Sequence, residues 1–157
     1  MNSRLGTRRA IGFALALCLV ALAGSTEPAL AATPDQAPPV AAGQSRVWFL
    51  RQLEPGSNFH APMIYVNGAP ITTSGPGTAF YRDFAPGQYV FTVENCLPQA
   101  GTSQTLTLPP DKQFALEVQQ DDNGSWACVP PQVSYLRQVQ PQQVPYLFAQ
   151  VTYEGAK

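Results

Sequence analysis

Short runs of alternating apolar and polar residues dominate the chain from residue 46 to its end. In residues 88–94, Tyr89, Phe91 and Val93 fall on one side of an extended chain, and mostly polar residues fall on the other. This period of two residues is typical of a β-strand with one buried and one solvated face. The same alternation recurs in residues 105–108 and 113–119, and the side predicted to face the core carries Tyr89, Phe91, Val93, Leu106, Leu108, Phe114, Leu116 and Val118.

Glycine, proline and asparagine separate these runs at positions that suit tight turns. Asn67-Gly68 predicts a hairpin, because both residues tolerate the positive φ angles that a two-residue hairpin turn requires. Pro70 has no N–H to donate, so the second arm of that hairpin is predicted to be an edge strand. Pro86-Gly87 fits the two central positions of a type II turn.

The succession of short strands and turns predicts an all-β protein. No window of a dozen residues after the first thirty has a convincing helical period, and proline interrupts nearly every candidate. About nine or ten short antiparallel strands in roughly 110 residues are typical of a single β-sandwich or a small barrel. The last two candidate strands are residues 133–139 and 146–153.

The first thirty residues have the layout of a secretory signal peptide. Three arginines, Arg4, Arg8 and Arg9, precede an apolar run of 13 residues at positions 11–23. A small-residue cleavage motif then ends at Ala31. The apolar run is too short to span a bilayer comfortably, which takes about 20 residues. We expect cleavage after Ala31, with retention as an N-terminal membrane anchor as the alternative.

This divides the chain into three parts. Residues 1–31 are the predicted signal peptide, and residues 32–45, with three prolines and no periodicity, are predicted to be a flexible linker. Residues 46–157 are predicted to form the β-sandwich domain.

Charge then excludes two classes of partner. Charged residues make up 12% of the chain, about half the usual share for globular proteins. Loss of residues 1–31 takes away three Arg and one Glu, which leaves six basic and nine acidic residues and a net charge of −3. Such a chain has no electrostatic reason to bind nucleic acid or an anionic membrane surface. We also expect no stable membrane span in the mature protein.

The mature chain keeps two of the three cysteines, Cys96 and Cys128. An even pair in an exported chain predicts a disulfide. The bridge would close a loop of 33 residues, worth roughly 3–4 kcal/mol if the stabilisation is entropic. The alternative is two free buried thiols; a metal site is disfavoured because no further ligand set accompanies the pair.

Four segments occur in an order found in a known family: Val47–Arg51, Ile64–Gly68, Gly77–Tyr81 and Pro86–Glu94. This order resembles a family of small bacterial envelope proteins of unknown function, often lipoproteins, and is similar to PEGA-type β-sandwich modules. The resemblance covers roughly residues 46–120, implies an exported β-sandwich without known catalysis, and carries over no functional residues. The chain departs from the family in lacking a lipidation signal.

Few residues offer chemistry. His60 is the single histidine, and Met63 is the methionine that remains after signal removal; together they are too few ligands to predict copper. No nucleophile elbow, phosphate-binding glycine motif or calcium loop is present. We therefore expect no catalytic residues, no cofactor and no metal. Six aromatic residues are candidates for a binding face, with core packing as the alternative for each: Trp48, Tyr65, Tyr81, Tyr135, Tyr146 and Tyr153.

Together these patterns predict an exported, non-enzymatic β-sandwich that acts as a binding or accessory protein of the bacterial envelope, in the periplasm or secreted. The expected partner is another envelope protein, a peptide or a glycan. The alternative is a small envelope hydrolase or metal-binding protein centred on His60.

The disulfide can be tested by mass. The purified mature protein is expected to weigh two hydrogens less than its reduced form, because Cys96 and Cys128 are joined. An intact mass equal to that of the dithiol form would contradict the bridge.

Overall fold

The computed structural model describes residues 36–53, 61–95, 101–121 and 133–157 of the chain. These residues form nine strands and one short helix. In chain order they are β1 (Ser45–Arg51), β2 (Met63–Val66), β3 (Ala69–Thr73), β4 (Thr78–Phe84), β5 (Gly87–Val93), β6 (Ser103–Leu108), β7 (Gln113–Asp121), β8 (Val133–Gln138), α1 (Val144–Phe148) and β9 (Thr152–Ala156).

The strands form two sheets that pack face to face, as predicted for an all-β sandwich. The five-stranded sheet has the order β8-β7-β1-β4-β9, and the four-stranded sheet has the order β3-β2-β5-β6. Within the described residues neither sheet closes into a barrel. The pairing is not wholly antiparallel, because β1 runs parallel to β7 and β4 runs parallel to β9.

The core between the sheets contains the residues that the alternation predicts. Phe91, Val93, Leu106, Leu108, Leu116 and Val118 are buried there, and the half-buried Tyr89 and Phe114 pack against them. The five-stranded sheet contributes Val47, Phe49, Phe80, Phe84 and Leu136 to the same core.

The central strand β1 is buried on both of its faces. Val47 and Phe49 point into the core between the sheets, whereas Trp48 and Leu50 point the other way. These two belong to a second set of buried residues on the outer face of the five-stranded sheet, which we call the outer cluster. It consists of Trp48, Leu50, Ala79, Tyr81, Ala115, Val139, Leu147, Phe148 and Val151.

Helix α1 covers the outer cluster and corrects the prediction of a strand over residues 146–153. Val144, Leu147, Phe148 and Val151 all contact the cluster. Their spacing of three, four and seven residues places them on one face of a helical turn. Pro145 lies in the first turn, where its missing N–H costs nothing. The predicted strand is therefore wrong for residues 146–151, and the observed strand β9 begins at Thr152.

Residues 36–44, within the predicted linker, also lie against the outer face. Ala37 packs against the outer cluster, and the carbonyl of Pro38 accepts a hydrogen bond from Arg46 Nη1 at 2.6 Å. Gly43 N donates to Asp111 Oδ1 at 2.8 Å. Contacts with the domain therefore begin before β1, and β1 itself begins one residue earlier than the predicted boundary at 46.

Two of the three predicted turn features are confirmed. Asn67 and Gly68 have φ angles of 49° and 80°, as the hairpin turn requires, and β3, which contains Pro70, is the outermost strand of its sheet. The type II turn is wrong, because Gly87 has no positive φ. It is instead the first residue of β5, where its ladder partner Leu108 holds it extended.

Hydrogen bonds with Asn95, Gly101 and Gln104 cover the outer edge of β8. Asn95 accepts a hydrogen bond from Ser134 N through Oδ1 and donates to Ser134 O through Nδ2. Leu136 N donates to Gly101 O at 3.1 Å, and Gln104 Nε2 donates to Leu136 O at 2.9 Å. The main-chain groups of this edge at Ser134 and Leu136 are therefore satisfied within the domain.

A buried ion pair joins Arg46 on β1 to Asp83 on β4. The two side chains form two parallel hydrogen bonds of 2.7 and 2.8 Å. The Arg46 side chain is 3% exposed and the Asp83 side chain is 21% exposed. Asp83→Asn is expected to lower the free energy of unfolding by roughly 2–4 kcal/mol, because it leaves Arg46 buried without a counter-charge while Asp83 itself is partly solvated.

The matched control is Glu154→Gln. Glu154 pairs with Lys157 at 3.5 Å on the surface, with both side chains about one-third exposed. This substitution is expected to change the free energy of unfolding by less than about 0.5 kcal/mol. Urea unfolding curves measure both values, and equal effects of the two substitutions would contradict a structural role for the buried pair.

Candidate functional site

Trp48 is the centre of the outer cluster. Its ring lies edge-on to Phe148, with 5.0 Å between ring centroids, and is tilted against Tyr81 at 5.2 Å and Tyr153 at 5.9 Å. Its indole Nε1 donates a hydrogen bond of 2.8 Å to Gln113 Oε1. These contacts hold the ring in place, and Trp48 is only 2% exposed.

Arg46 joins the charged and aromatic parts of this face. Its guanidinium lies 3.7 Å from the centroid of the Tyr81 ring, in addition to pairing with Asp83. The hydrogen bond to Asp83 raises the pKa of Arg46 above its ordinary value. A planar guanidinium both stacks on an aromatic ring and binds a carboxylate with two hydrogen bonds, so Arg46 fixes the position of β4 against β1.

A groove of about 320 Å³ lies beside Trp48. Its volume is at the lower end of the range for small-molecule sites. The groove opens to solvent, and none of its lining residues carries a charge. They are Trp48, Gln113, Phe114, Ala115, Gln138, Val139, Gln140, Pro141 and Val144.

The groove exists because β8, which runs antiparallel to β7, ends before it reaches the first residue of β7, Gln113. The ladder between them pairs Leu116 with Gln138 and continues to a hydrogen bond of 2.8 Å from Val139 N to Ala115 O. Two residues further along, this register would place Pro141 opposite Gln113. Pro141 has no N–H for the ladder, and the chain turns there toward α1.

Apolar side chains form most of the groove lining, and amide side chains complete it. Ala115, Val139 and Val144 belong to the outer cluster or pack against it. Gln138 and Gln140 are exposed. This composition suits an uncharged ligand, which apolar contacts would hold and hydrogen bonds would orient.

The structure separates the six aromatic candidates. Trp48 and Tyr81 are buried in the outer cluster, so for them core packing is the outcome. Tyr65, Tyr135 and Tyr153 are half-buried, and Tyr146 is 70% exposed. Of the six, Trp48 alone lines the groove. The six do not form one binding face, since Tyr65 lies on the four-stranded sheet, whereas Trp48 and Tyr81 lie in the outer cluster of the five-stranded sheet.

His60, Cys96 and Cys128 lie outside the described residues, as does the His60-centred alternative. Among the described residues there is no group of three or more His, Cys, Asp or Glu side chains that could hold a metal ion. In the same part of the chain, no helix has the length and apolar character needed to cross a bilayer.

A second uncharged surface is the outer face of the four-stranded sheet. Its strands β2, β3, β5 and β6 contain no Asp, Glu, Lys or Arg. Tyr65, Thr92 and Ser103 lie side by side in register. The hydroxyls of Thr92 and Ser103 are hydrogen-bonded to each other at 2.9 Å. Binding sites for small ligands are usually concave, which favours the groove beside Trp48 over this face.

Compared with known proteins, the chain matches no protein-family model and no curated protein sequence.

Sequence reasoning did not select most residues of this site. The sequence pattern places Gln113 and Val139 in strands and indicates no role for Pro141 or Val144. The signal that was available is the spacing of Val144, Leu147, Phe148 and Val151, which is that of a helix face rather than a strand.

The outer cluster predicts a dependence of stability on alkaline pH. Burial raises the pKa of the Tyr153 phenol from 10.0 to about 12, and the neighbouring Tyr81 adds to the rise. The folded protein therefore keeps the Tyr153 proton at pH values where the unfolded chain releases it. This contribution to stability is fully present below pH 10 and is lost as the pH rises from 10 to about 12.

Tyr153→Phe removes this titration. The free energy of unfolding of the wild type is expected to fall more steeply between about pH 10 and 12 than that of the variant. Tyr146→Phe, at an exposed position, is the control and is expected to follow the wild type. Urea unfolding at several pH values measures the slopes, and parallel curves for wild type and Tyr153→Phe would contradict the assignment.

Proposed function

We propose that this protein is an exported, non-enzymatic binding or accessory module of the bacterial envelope, and that the groove beside Trp48 is its binding site. The observation that carries the proposal is the groove itself, a concave site of about 320 Å³ with an apolar lining, several amide side chains and no charged residue. The predicted signal peptide at residues 1–31 and the resemblance of residues 46–120 to envelope β-sandwich modules support the proposed location.

The lining favours binding over catalysis. General acid–base and nucleophilic catalysis need a titratable or nucleophilic group in contact with the reacting atoms. The groove offers amide, aliphatic and aromatic side chains. On the strands that form the groove, Arg46 is paired with Asp83. Glu117 and Arg137, on β7 and β8, are likewise paired with each other. The proposed partner is correspondingly an uncharged part of an envelope protein, a peptide or a glycan.

The rigidity of the surroundings supports a preformed site. Trp48 is held by three aromatic neighbours and by Gln113. Val139 is held by its bond to Ala115, and α1 is held by Leu147 and Phe148 in the outer cluster. A groove with fixed walls loses little conformational entropy when a ligand binds.

Substitutions in one turn test the site. Gln140 lines the groove and is exposed, so Gln140→Trp is expected to obstruct the groove without disturbing the core. Gln142 is equally exposed in the same turn but is not part of the lining, so Gln142→Trp is the matched control. Neutral peptides and neutral oligosaccharides are screened by ligand-detected NMR, and each ligand that binds is titrated against both variants.

We expect Gln140→Trp to weaken binding at least tenfold and Gln142→Trp to leave it unchanged. Ligands that bind both variants equally would place the site elsewhere. Reproducible turnover of a substrate by the purified mature protein, abolished by a point mutation, would contradict the non-enzymatic proposal.

A further inference from the structure

The main chain of Gln113 forms an open edge within the five-stranded sheet. Arg46 N donates to Lys112 O at 2.9 Å, so in this parallel pair the N–H and C=O of Gln113 point away from β1. They point to the same side as Ala115 O, which accepts from Val139 N at 2.8 Å. β8 pairs with this side of β7 along residues 116–121, but it ends before it reaches Gln113.

Proline causes the opening. If the β7–β8 register continued past Val139, Pro141 would stand opposite Gln113. A proline there cannot donate to Gln113 O, and the chain turns toward α1 at the same residue. The outer edge of β8, by contrast, is covered at Ser134 and Leu136 by Asn95, Gly101 and Gln104. The edge at Gln113 has no such cover among the described residues.

The groove passes this open edge. Ala115 and Trp48 belong to the outer face of the sheet, whereas Phe114 packs against the core between the sheets, and all three line the groove. A ligand in the groove therefore meets apolar side chains from both faces of β7 together with the main-chain donor and acceptor of Gln113.

This combination favours a peptide over a sugar. Sugars are commonly bound on an exposed aromatic face, but the Trp48 ring is 2% exposed and its Nε1 is already bonded to Gln113. An extended peptide can exchange two main-chain hydrogen bonds with one strand residue and place a side chain in an adjoining pocket. The uncharged lining excludes a charged side chain at that position.

We propose that the groove binds an extended, uncharged peptide segment of a partner protein by β-strand addition. The segment pairs antiparallel with the main chain of Gln113, in the row that β8 leaves at Pro141. One apolar side chain of the segment enters the groove against Val139 and Val144. This inference rests on the proposed function and names the ligand of the same groove.

The experiment uses the mature chain labelled with nitrogen-15 and titrated with a capped pentapeptide, acetyl-GTVTG-amide. Two related peptides serve as comparisons. In the first, the central valine carries an N-methyl group on its main-chain nitrogen. In the second, aspartate replaces the central valine. Maltotriose is the neutral sugar probe. Chemical-shift changes of the Gln113 amide report the site, and titration gives the dissociation constants.

The unmodified peptide is expected to shift the Gln113 amide. N-methylation is expected to weaken binding at least tenfold, because the methylated nitrogen cannot donate to Gln113 O. Aspartate is expected to weaken binding to a similar extent, because its charge would enter an uncharged groove.

A protein variant tests the role of Pro141. Pro141→Val restores an N–H opposite Gln113, so β8 can extend and occupy the open edge. This variant is expected to bind the peptide at least fivefold more weakly, with an unchanged midpoint of urea unfolding or a higher one. Pro86→Ala, in the exposed turn before β5, is the control and is expected to bind like the wild type.

Five results would overturn the inference. Equal affinity for the N-methylated peptide would exclude main-chain pairing, although the groove would remain a binding site. Binding of maltotriose without peptide binding would assign the groove to a glycan. Gln113 shifts that depend on protein concentration alone would assign it to a second copy of the chain. Absence of peptide binding at millimolar concentration would exclude the peptide class; peptide binding unaffected by Gln140→Trp would also contradict the proposed site.

Discussion

Burial of β1 on both faces is the constraint on which the rest of the structure depends. All seven residues of the strand are buried, so the five-stranded sheet needs cover on two sides. The four-stranded sheet covers one side, and α1 with residues 36–44 covers the other. Two arginines lie near the two ends of this buried strand, and each has polar partners. Arg46 is hydrogen-bonded to Asp83 and to Pro38 O. Arg51 is hydrogen-bonded to Ser74 O and to Gln120.

The proposed binding site follows from how the outer side is covered. The chain that covers it must leave the sheet to form α1, and it does so at Pro141, before β8 has paired with the whole of β7. The break leaves a polar main-chain edge at Gln113 next to the apolar residues that α1 and Trp48 present. A short helix crossing the sheet thus completes the hydrophobic packing on one part of the outer face and leaves a groove on the next.

Local pattern predicted the fold where burial is one-sided. In β5, β6 and β7 the alternation of residues such as Phe91, Leu106 and Leu116 indicates which face is buried, and Asn67-Gly68 indicates the hairpin. The pattern carries less information where burial is two-sided or the element is short: Trp48 and Tyr81 suit a binding face as well as a core. The helix at Val144–Phe148 has five residues, too few for a window of a dozen. The groove depends on long-range register between residues 113 and 141, which no local pattern contains.

Amide hydrogen exchange at Gln113 and Glu117 tests the central claim most directly. Both residues point their main-chain groups to the β8 side of the same strand, but Glu117 pairs with Arg137 whereas Gln113 lies past the end of β8. The structure predicts that in the ligand-free protein the Gln113 amide exchanges close to the rate of an unstructured peptide while the Glu117 amide is strongly protected. Equal, strong protection at both amides would show that the edge is closed and would contradict the proposed site.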